Sequence, residues 1–197
     1  IGGQLWMAEN LKVTHYNNGD AITHIANEEH WGSMDEGQYG VYDDEPTNAN
    51  IYGNIYNWAV IGDIRGICPV GWHVPSDDEY TILKDYLGGE AGGKMKDNVL
   101  WNGTNESGFT GLPAGYRYSV GTYHSMNTNG YFWSSSEFDS DFAWFVSLYN
   151  NLSVVIRFAN YKQDCFSIRC VEGEDISADC NGVPGGDGYY DNCDDCV

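Results

Sequence analysis

Basic residues are scarce in this chain of 197 residues. Lys and Arg together number 9 against 29 Asp and Glu, which gives a formal net charge of −20. So few cations cannot neutralise a run of phosphates, which argues against nucleic acid as a partner. The same charge disfavours docking on anionic membranes, and no apolar run approaches the ~20 residues that cross a bilayer. We therefore expect neither nucleic-acid binding nor membrane insertion.

Sequence signatures of catalysis are also lacking. None of the five histidines has the His-x3-His spacing of a zinc site: His15, His24, His30, His73 and His124. The serine triplet at 134–136 lacks the Gly-x-Ser-x-Gly pattern of a nucleophile elbow. These patterns favour a protein that is not an enzyme.

Aromatic residues, by contrast, are abundant. The chain contains 7 Trp and 15 Tyr, and 42% of its residues are hydrophobic, so it is a folded domain rather than a disordered acidic segment. Six cysteines and 25 glycines accompany them, a composition typical of a loop-rich protein in an oxidising compartment. Six cysteines allow 15 pairings, so composition alone leaves the connectivity open.

Two helices are predicted in the first half of the chain. The clearer one covers residues 76–88, where Ser76 and Glu79 have the spacing of a capping box and Gly88 supplies the end. Acidic residues fill its first turn, as the helix dipole favours. The other covers residues 50–60, where apolar residues recur at helical spacing.

Strands are predicted in the second half. Four segments have suitable aromatic and β-branched content: 131–133, 143–149, 152–158 and 166–171. Asn150 and Asn151 predict a tight turn between the middle two, because asparagine tolerates a positive φ. This hairpin would place Phe145 opposite Ile156. Both of its faces are largely apolar, so one meets the core and the other is either covered or exposed.

Eight short segments resemble the signatures of one bacterial family. They are 4–11 (QLWMAENL), 52–58 (YGNIYNW), 65–75 (RGICPVGWHVP), 92–96 (GGKMK), 105–109 (NESGF), 112–117 (LPAGYR), 133–137 (WSSSE) and 166–171 (FSIRCV). Together they span roughly residues 1–172 in the same order, and the chain is similar to the Fibrobacter succinogenes major paralogous domain. The resemblance implies an α+β, C-type lectin-like fold with short helices and a small antiparallel sheet. It also implies a secreted or cell-surface bacterial protein without established catalytic activity.

The resemblance implies a structural disulfide between Cys68 and Cys170. Cys165 stands where the family usually has glycine, and with Cys170 it forms Cys-x4-Cys. That is the copper-site spacing of the formylglycine-generating enzymes, which the family more distantly resembles. A copper-dependent oxidase is therefore an alternative if Cys170 is not in the disulfide. Otherwise Cys165 is free or bonded to a cysteine of the tail.

The tail, residues 173–197, is acidic, cysteine-rich and poor in apolar residues, so it needs disulfides or a metal to become ordered. It resembles one incomplete unit of the thrombospondin type 3 repeats, which bind calcium, and a longer natural polypeptide is expected. Six oxygen-bearing side chains are the predicted Ca²⁺ ligands: Asp179, Asn181, Asp187, Asp191, Asp194 and Asp195. A disulfide-stapled linker without an ion is the alternative.

The 143–158 hairpin and its neighbouring loops are the predicted ligand-binding surface, because family members differ there and related lectin-like proteins bind ligands there. The predicted residues are Phe138, Asp139, Asp141, Phe142, Phe145, Ser147, Tyr149, Asn150, Leu152, Val154, Ile156, Phe158 and Tyr161. By the same resemblance, Trp144, Leu148, Val155 and Arg157 belong to the packed face.

An exposed aromatic surface indicates a protein partner or sugar rings stacked on the aromatics. The predicted function is thus a non-catalytic extracellular recognition or adhesion module for a protein or a polysaccharide. The first alternative is a structural subunit that assembles with copies of itself through the apolar hairpin face, as in a filament.

Overall fold

The computed structural model describes residues 1–26 and 33–173. These residues form a mixed α+β fold, mostly sheet with short helices, which confirms the predicted class. The helices are α1 Pro46–Tyr52, α2 Asp77–Leu87 and α3 Ala91–Met95. The strands are β1 Thr23–His24, β2 Gln38–Gly40, β3 Ile55–Tyr56, β4 Trp72–His73, β5 Ala114–Arg117, β6 Tyr123–Met126, β7 Asn129–Glu137, β8 Phe142–Tyr149, β9 Val155–Tyr161 and β10 Val171–Glu172. Short 3-10 turns lie at Tyr42–Asp44 and Trp58–Val60.

The main sheet has five strands in the order β6-β5-β7-β8-β9. An antiparallel sheet was predicted, but β5 and β7 run parallel and pair at Gly115 and Gly130. Two smaller sheets, β1-β2-β3 and β4-β10, lie outside it. The main sheet therefore carries most of the extended structure of the described residues, and β8 and β9 form one side of it.

The predicted register of the β8–β9 hairpin is wrong by two residues. Phe145 pairs with Phe158, and Ile156 pairs with Ser147 instead. Asn150 and Asn151 do form a turn, in which the Leu152 N–H donates to the Tyr149 carbonyl at 3.3 Å, but β9 begins only at Val155, and Lys96 contacts this connection from the α3 side. The Lys96 Nζ donates to the carbonyl oxygens of Tyr149, at 3.0 Å, and Leu152, at 2.9 Å. A shift of two residues leaves each side chain on its predicted face, since side chains alternate along a strand.

Both faces of β8 are covered by protein. On one face Phe145 and Ser147 are buried in a core that includes Trp133 and Phe166. On the other face Val146 and Leu148 are buried in a second core built with α2 and α3. The expectation that Leu148 belongs to a packed face is confirmed. Phe145 and Ser147, predicted to face a ligand, are buried here, because β8 is an inner strand with a core on each side.

Helix α2 confirms the clearer of the two predicted helices. The Ser76 backbone N–H donates to Glu79 Oε2 at 2.8 Å, and the Glu79 N–H donates to Ser76 Oγ at 3.2 Å, which completes the capping box. Gly88 ends the helix with a φ of 79°. The helix predicted over residues 50–60 is wrong. Helix α1 ends at Tyr52 because Gly53 adopts a φ of 82°, and the chain then enters β3.

The Cys68–Cys170 disulfide confirms the predicted pairing and joins positions 102 residues apart in sequence. Next to it, the Met7 N–H donates to the Cys170 carbonyl at 3.0 Å, and the Glu172 N–H donates to the Leu5 carbonyl at 2.8 Å. The beginning and the end of the described chain therefore lie side by side.

The acidic tail lies outside the described residues from position 174 onward. All six predicted calcium ligands fall there, together with Cys180, Cys193 and Cys196. Calcium binding by the tail and the pairing of its cysteines stay predictions.

Candidate ligand-binding face

One face of the main sheet carries a row of aromatic side chains that is buried at Tyr131 in its middle and exposed toward its ends. Tyr116 on β5 is paired with His124 on β6, so both side chains lie on the same face. On β7 and β8, Tyr131 pairs with Ser147, and Asn129 pairs with Tyr149. Because side chains alternate along a strand, Tyr131 and Tyr149 lie on that same face. We call this surface the tyrosine face: Tyr116, Tyr118, His124, Tyr131, Tyr149 and Phe158.

The rings of the tyrosine face contact one another edge to face. The ring centroids of Tyr116 and Tyr131 are 4.8 Å apart with an angle of 62° between the ring planes. Those of Tyr131 and Tyr149 are 6.2 Å apart at 77°, and those of Tyr116 and Tyr118 are 5.0 Å apart at 70°. Such pairs are favourable, and they make the surface stepped rather than flat.

A buried aromatic layer supports this face from inside. Phe166 is 1% exposed and packs against Tyr131 at a centroid distance of 5.4 Å, against Tyr116 at 5.7 Å and against Phe145 at 4.8 Å. The outer rings remain accessible, since Tyr118 is 41% exposed and Phe158 is 53% exposed. The face is therefore preorganised in its centre and open at both ends.

The tyrosine hydroxyls of this face are uncharged hydrogen-bonding groups. Burial raises the pKa of Tyr116 above its usual value, and the neighbouring Tyr118 hydroxyl raises it further. Burial also raises the pKa of Tyr131. Both rings thus stay neutral at physiological pH, and the partly exposed Tyr116 offers a ligand a hydroxyl donor and acceptor next to apolar ring surface.

A second aromatic surface lies on the opposite face of β8 and β9. We call it the edge cluster: Phe138, Phe142, Trp144, Arg157 and Tyr161. The guanidinium of Arg157 stacks 3.3 Å above the centre of the Trp144 ring, and its Nε donates to Asp77 Oδ1. The Phe142 and Tyr161 rings lie 4.3 Å apart. The loop beside them is fixed because Asp139 Oδ1 accepts the backbone N–H groups of Asp141 and Phe142.

The structure does not bring the thirteen predicted ligand residues onto one surface. Tyr149, Ile156 and Phe158 lie on the sheet face that carries the tyrosine face, while Phe138, Phe142 and Tyr161 belong to the edge cluster, beside Asp139 and Asp141. Phe145 and Ser147 are buried. At the other end of the hairpin lie Asn150, Leu152 and Val154, and Val154 lines a cavity of about 470 Å³ beside the end of α2.

Sequence reasoning missed the β5–β6 half of the tyrosine face. Tyr116 and Tyr118 alternate in the sequence, which is the signal of a strand that presents two rings on one side. Tyr116 lies in a segment interpreted only as a family signature, and Tyr118 follows directly after that segment. Tyr131 lies in a predicted strand, but neither Tyr131 nor His124 carries a local signal for this face, because they join it through strand pairing across the sheet.

The two cysteines of the Cys-x4-Cys pattern differ in state. Cys170 is bonded to Cys68, whereas Cys165 is a buried free thiol, and burial raises its pKa well above the usual value. A dithiol at these positions is therefore not formed. In the part of the chain that the structure describes, no group of three or more His, Cys, Asp and Glu side chains is arranged to hold a metal ion. No helix described here is long and apolar enough to cross a membrane.

These observations define a disulfide-tied α+β domain that presents a preorganised aromatic face. The family model of the Fibrobacter succinogenes major domain matches residues 1–172, and the chain belongs to that family. The family suggests a bacterial surface domain. No curated protein matches the chain.

Proposed function

We propose that this domain is a non-catalytic, extracellular recognition module of a bacterial surface protein, with a C-type lectin-like fold, and that the tyrosine face binds its ligand. One observation carries the proposal: exposed and partly exposed aromatic rings flank the buried Tyr131 on one sheet face, above the buried Phe166. Large apolar groups left accessible on a folded domain mark interaction surfaces.

The shape of the face favours a protein ligand over a flat polysaccharide. Tyrosine supplies contact area and a hydroxyl at little cost in conformational entropy, and the edge-to-face rings create steps that suit a protein surface. A flat glycan stacks best on coplanar rings, whereas the Tyr131 ring is inclined by 62° to Tyr116 and by 77° to Tyr149. A polysaccharide is the other ligand class that the sequence leaves open.

The oxidase alternative receives no support from the cysteines. It requires thiols at both Cys165 and Cys170, and Cys170 is in the disulfide with Cys68. Cys165 is wholly buried beside Asp164, a setting that disfavours the thiolate. Disulfide mapping of the native protein by mass spectrometry tests this point, because a Cys165–Cys170 dithiol would reopen the alternative.

The ligand test uses two defined probes: a yeast-displayed library of random peptides, and an array of soluble polysaccharides. Tyr118→Ala and Tyr149→Ala are expected to weaken binding of the selected ligand at least tenfold each, because aromatic hot-spot residues contribute about 2 kcal/mol or more to binding. Tyr86→Ala is the matched control, since Tyr86 is an exposed ring on α2, outside the tyrosine face. Binding that is unaffected by both tyrosine-face variants would contradict the proposal.

A further inference from the structure

Strand β9 forms one edge of the main sheet. Val155–Tyr161 pairs with β8 along one side, and no other described strand pairs with its outer side. β9 has seven residues, whereas β6 at the opposite edge has four. An unpaired edge presents a row of backbone N–H and C=O groups to which another strand can bond.

The hydrogen bonds around β9 show which backbone groups point outward. The Lys162 N–H donates to the Asp141 carbonyl at 2.9 Å, one position beyond the pair of Phe142 with Tyr161. The Phe142 carbonyl does not bond to β9, because it accepts from the Phe138 N–H on the side of β8 away from β9. In an antiparallel ladder the hydrogen-bonded pairs alternate with pairs whose groups point away. Val155, Arg157 and Ala159 therefore direct their N–H and C=O groups outward.

The usual protections of an edge are weak in β9. Its sequence, VIRFANY, contains no proline and no lysine. Its one charged side chain, Arg157, stacks on the Trp144 ring and pairs with Asp77. Both contacts lie on one face of the sheet, so the charge does not cover the backbone of the edge. The backbone of the strand is therefore accessible along the middle of the edge.

Charge and apolar groups around the edge indicate the partner. Phe158 is exposed on one face of β9, and Tyr161, 50% exposed, on the other. Asp139 and Asp141 are exposed beside the Tyr161 end, where Glu137 is paired with the Lys162 Nζ at 3.0 Å, and the whole chain has a formal net charge of −20. A cationic strand with alternating apolar residues complements this edge, whereas a second copy would bring the same negative charge.

We propose that β9 is a docking edge to which a partner protein adds an extended, lysine- or arginine-rich segment as a sixth strand of the sheet. This rests on the proposed function, since it names the partner class of the same module, and Phe158 belongs to both β9 and the tyrosine face. Main-chain hydrogen bonds to Val155, Arg157 and Ala159 supply affinity, and the flanking rings and acids supply selectivity.

The experiment uses two synthetic peptides with the full-length chain. One is an eight-residue peptide that alternates lysine with valine or phenylalanine, and the other is its twin with methyl groups on alternate backbone nitrogens. The twin has the same charge and side chains, but along one side of the extended peptide it lacks the backbone N–H groups that would donate to β9. We expect the first peptide to bind at least ten times more tightly in calorimetry, and the Asp139→Asn, Asp141→Asn double variant to weaken it.

Ala159→Pro tests the edge from the protein side. Proline removes the outward N–H of an edge position without removing a bond to β8, so the fold and its melting temperature are expected to persist. The difference between the two peptides is expected to disappear in Ala159→Pro and to persist in the matched variant Ala159→Val, which keeps the N–H. Should Ala159→Pro prove misfolded, the comparison of the two peptides on the unmodified chain still decides the matter.

Equal binding of both peptides would overturn the proposal, because it would reflect charge attraction alone. A concentration-dependent dimer that Ala159→Pro abolishes would also overturn it and assign the edge to a second copy. The proposed function fails separately: if Tyr118→Ala and Tyr149→Ala leave binding intact while the peptides still differ, the edge stands and the tyrosine face does not.

Discussion

Glu79 connects helix α2 to strand β4. Its carboxylate accepts the Ser76 N–H and lies 2.9 Å from the Nε2 of His73, and its side chain is 4% exposed. Burial opposes the charge of this carboxyl, but the hydrogen bonds from His73 and Ser76 outweigh it, so its pKa lies below the usual 4.5. The charged form is thus the one that stabilises the fold.

Glu79→Gln is expected to reduce the free energy of unfolding at neutral pH by about 1–3 kcal/mol, the usual loss for a hydrogen bond to a charged group. The folded-state pKa is lowered, so the contribution is present above the unfolded value of 4.5 and is lost as the pH falls below it. Urea denaturation across this pH range should show the variant and the wild type converging in acid. Glu90→Gln, at an exposed carboxyl, is the control. A constant difference at every pH would contradict the prediction.

Replacing both Cys68 and Cys170 by alanine is expected to reduce the free energy of unfolding by up to about 5 kcal/mol, because the disulfide closes a long loop. Cys165→Ala removes a buried thiol of the same type but no cross-link, and we expect a loss of about 1 kcal/mol. Denaturant midpoints under non-reducing conditions compare the two. Equal losses would show that the cross-link does not constrain the unfolded chain.

Helix α3 packs directly onto the β8–β9 connection. Gly92 has no space for a side chain, since an added Cβ would lie 2.4 Å from the Val154 carbonyl oxygen. At Gly93 a Cβ would lie 3.6 Å from the Cβ of Ser153, an ordinary contact. The Gly93 N–H also donates to the Ser153 carbonyl at 3.0 Å. The helix and the connection are thus fixed to each other through backbone atoms.

Gly92→Ala is expected to destabilise the domain by about 1–3 kcal/mol, as overpacking usually does. Gly93→Ala, one residue away in the same helix, is expected to be neutral or stabilising by up to about 1 kcal/mol because alanine favours a helix. Thermal unfolding of the two variants gives the comparison. Similar melting temperatures would indicate that the connection moves away from α3 without cost.

Elements whose ends are coded locally could be predicted from the sequence. The capping box of Ser76 and Glu79 and the terminal Gly88 specify α2 by themselves. The end of α1 could not be predicted in this way, because helical spacing continues past Gly53 and only its positive φ breaks the helix. The hairpin register was missed for a similar reason, since the connection is contacted by a residue distant in sequence, Lys96, 53 residues before Tyr149.

The candidate site was predictable only where one strand carries it. Tyr149 and Phe158 lie on strands identified from the sequence. Tyr116 and Tyr131 meet because β5 lies beside β7, a parallel neighbour that no local pattern indicates. The burial of Phe145 has the same origin, since a strand's place inside a sheet depends on the chain segments that cover it.

At the scale of the whole molecule, charge governs association. A chain of 21.9 kDa with a net charge of −20 repels its copies, most strongly at low ionic strength. We expect sedimentation analysis at low salt to show a monomer at all concentrations tested. A dimer fraction that grows with concentration would instead favour the self-assembling subunit.

The position of the disulfide also decides how the domain bears tension. If the two ends of the domain are pulled apart, the force passes along the chain to Cys68, crosses the sulfur–sulfur bond and leaves through Cys170. Residues 69–169 lie inside that covalent loop, and they include the whole five-stranded sheet. The tyrosine face and the β9 edge therefore lie off the load path, so a surface protein tethered under flow would keep its binding surface unstretched while its N-terminal segment takes the strain.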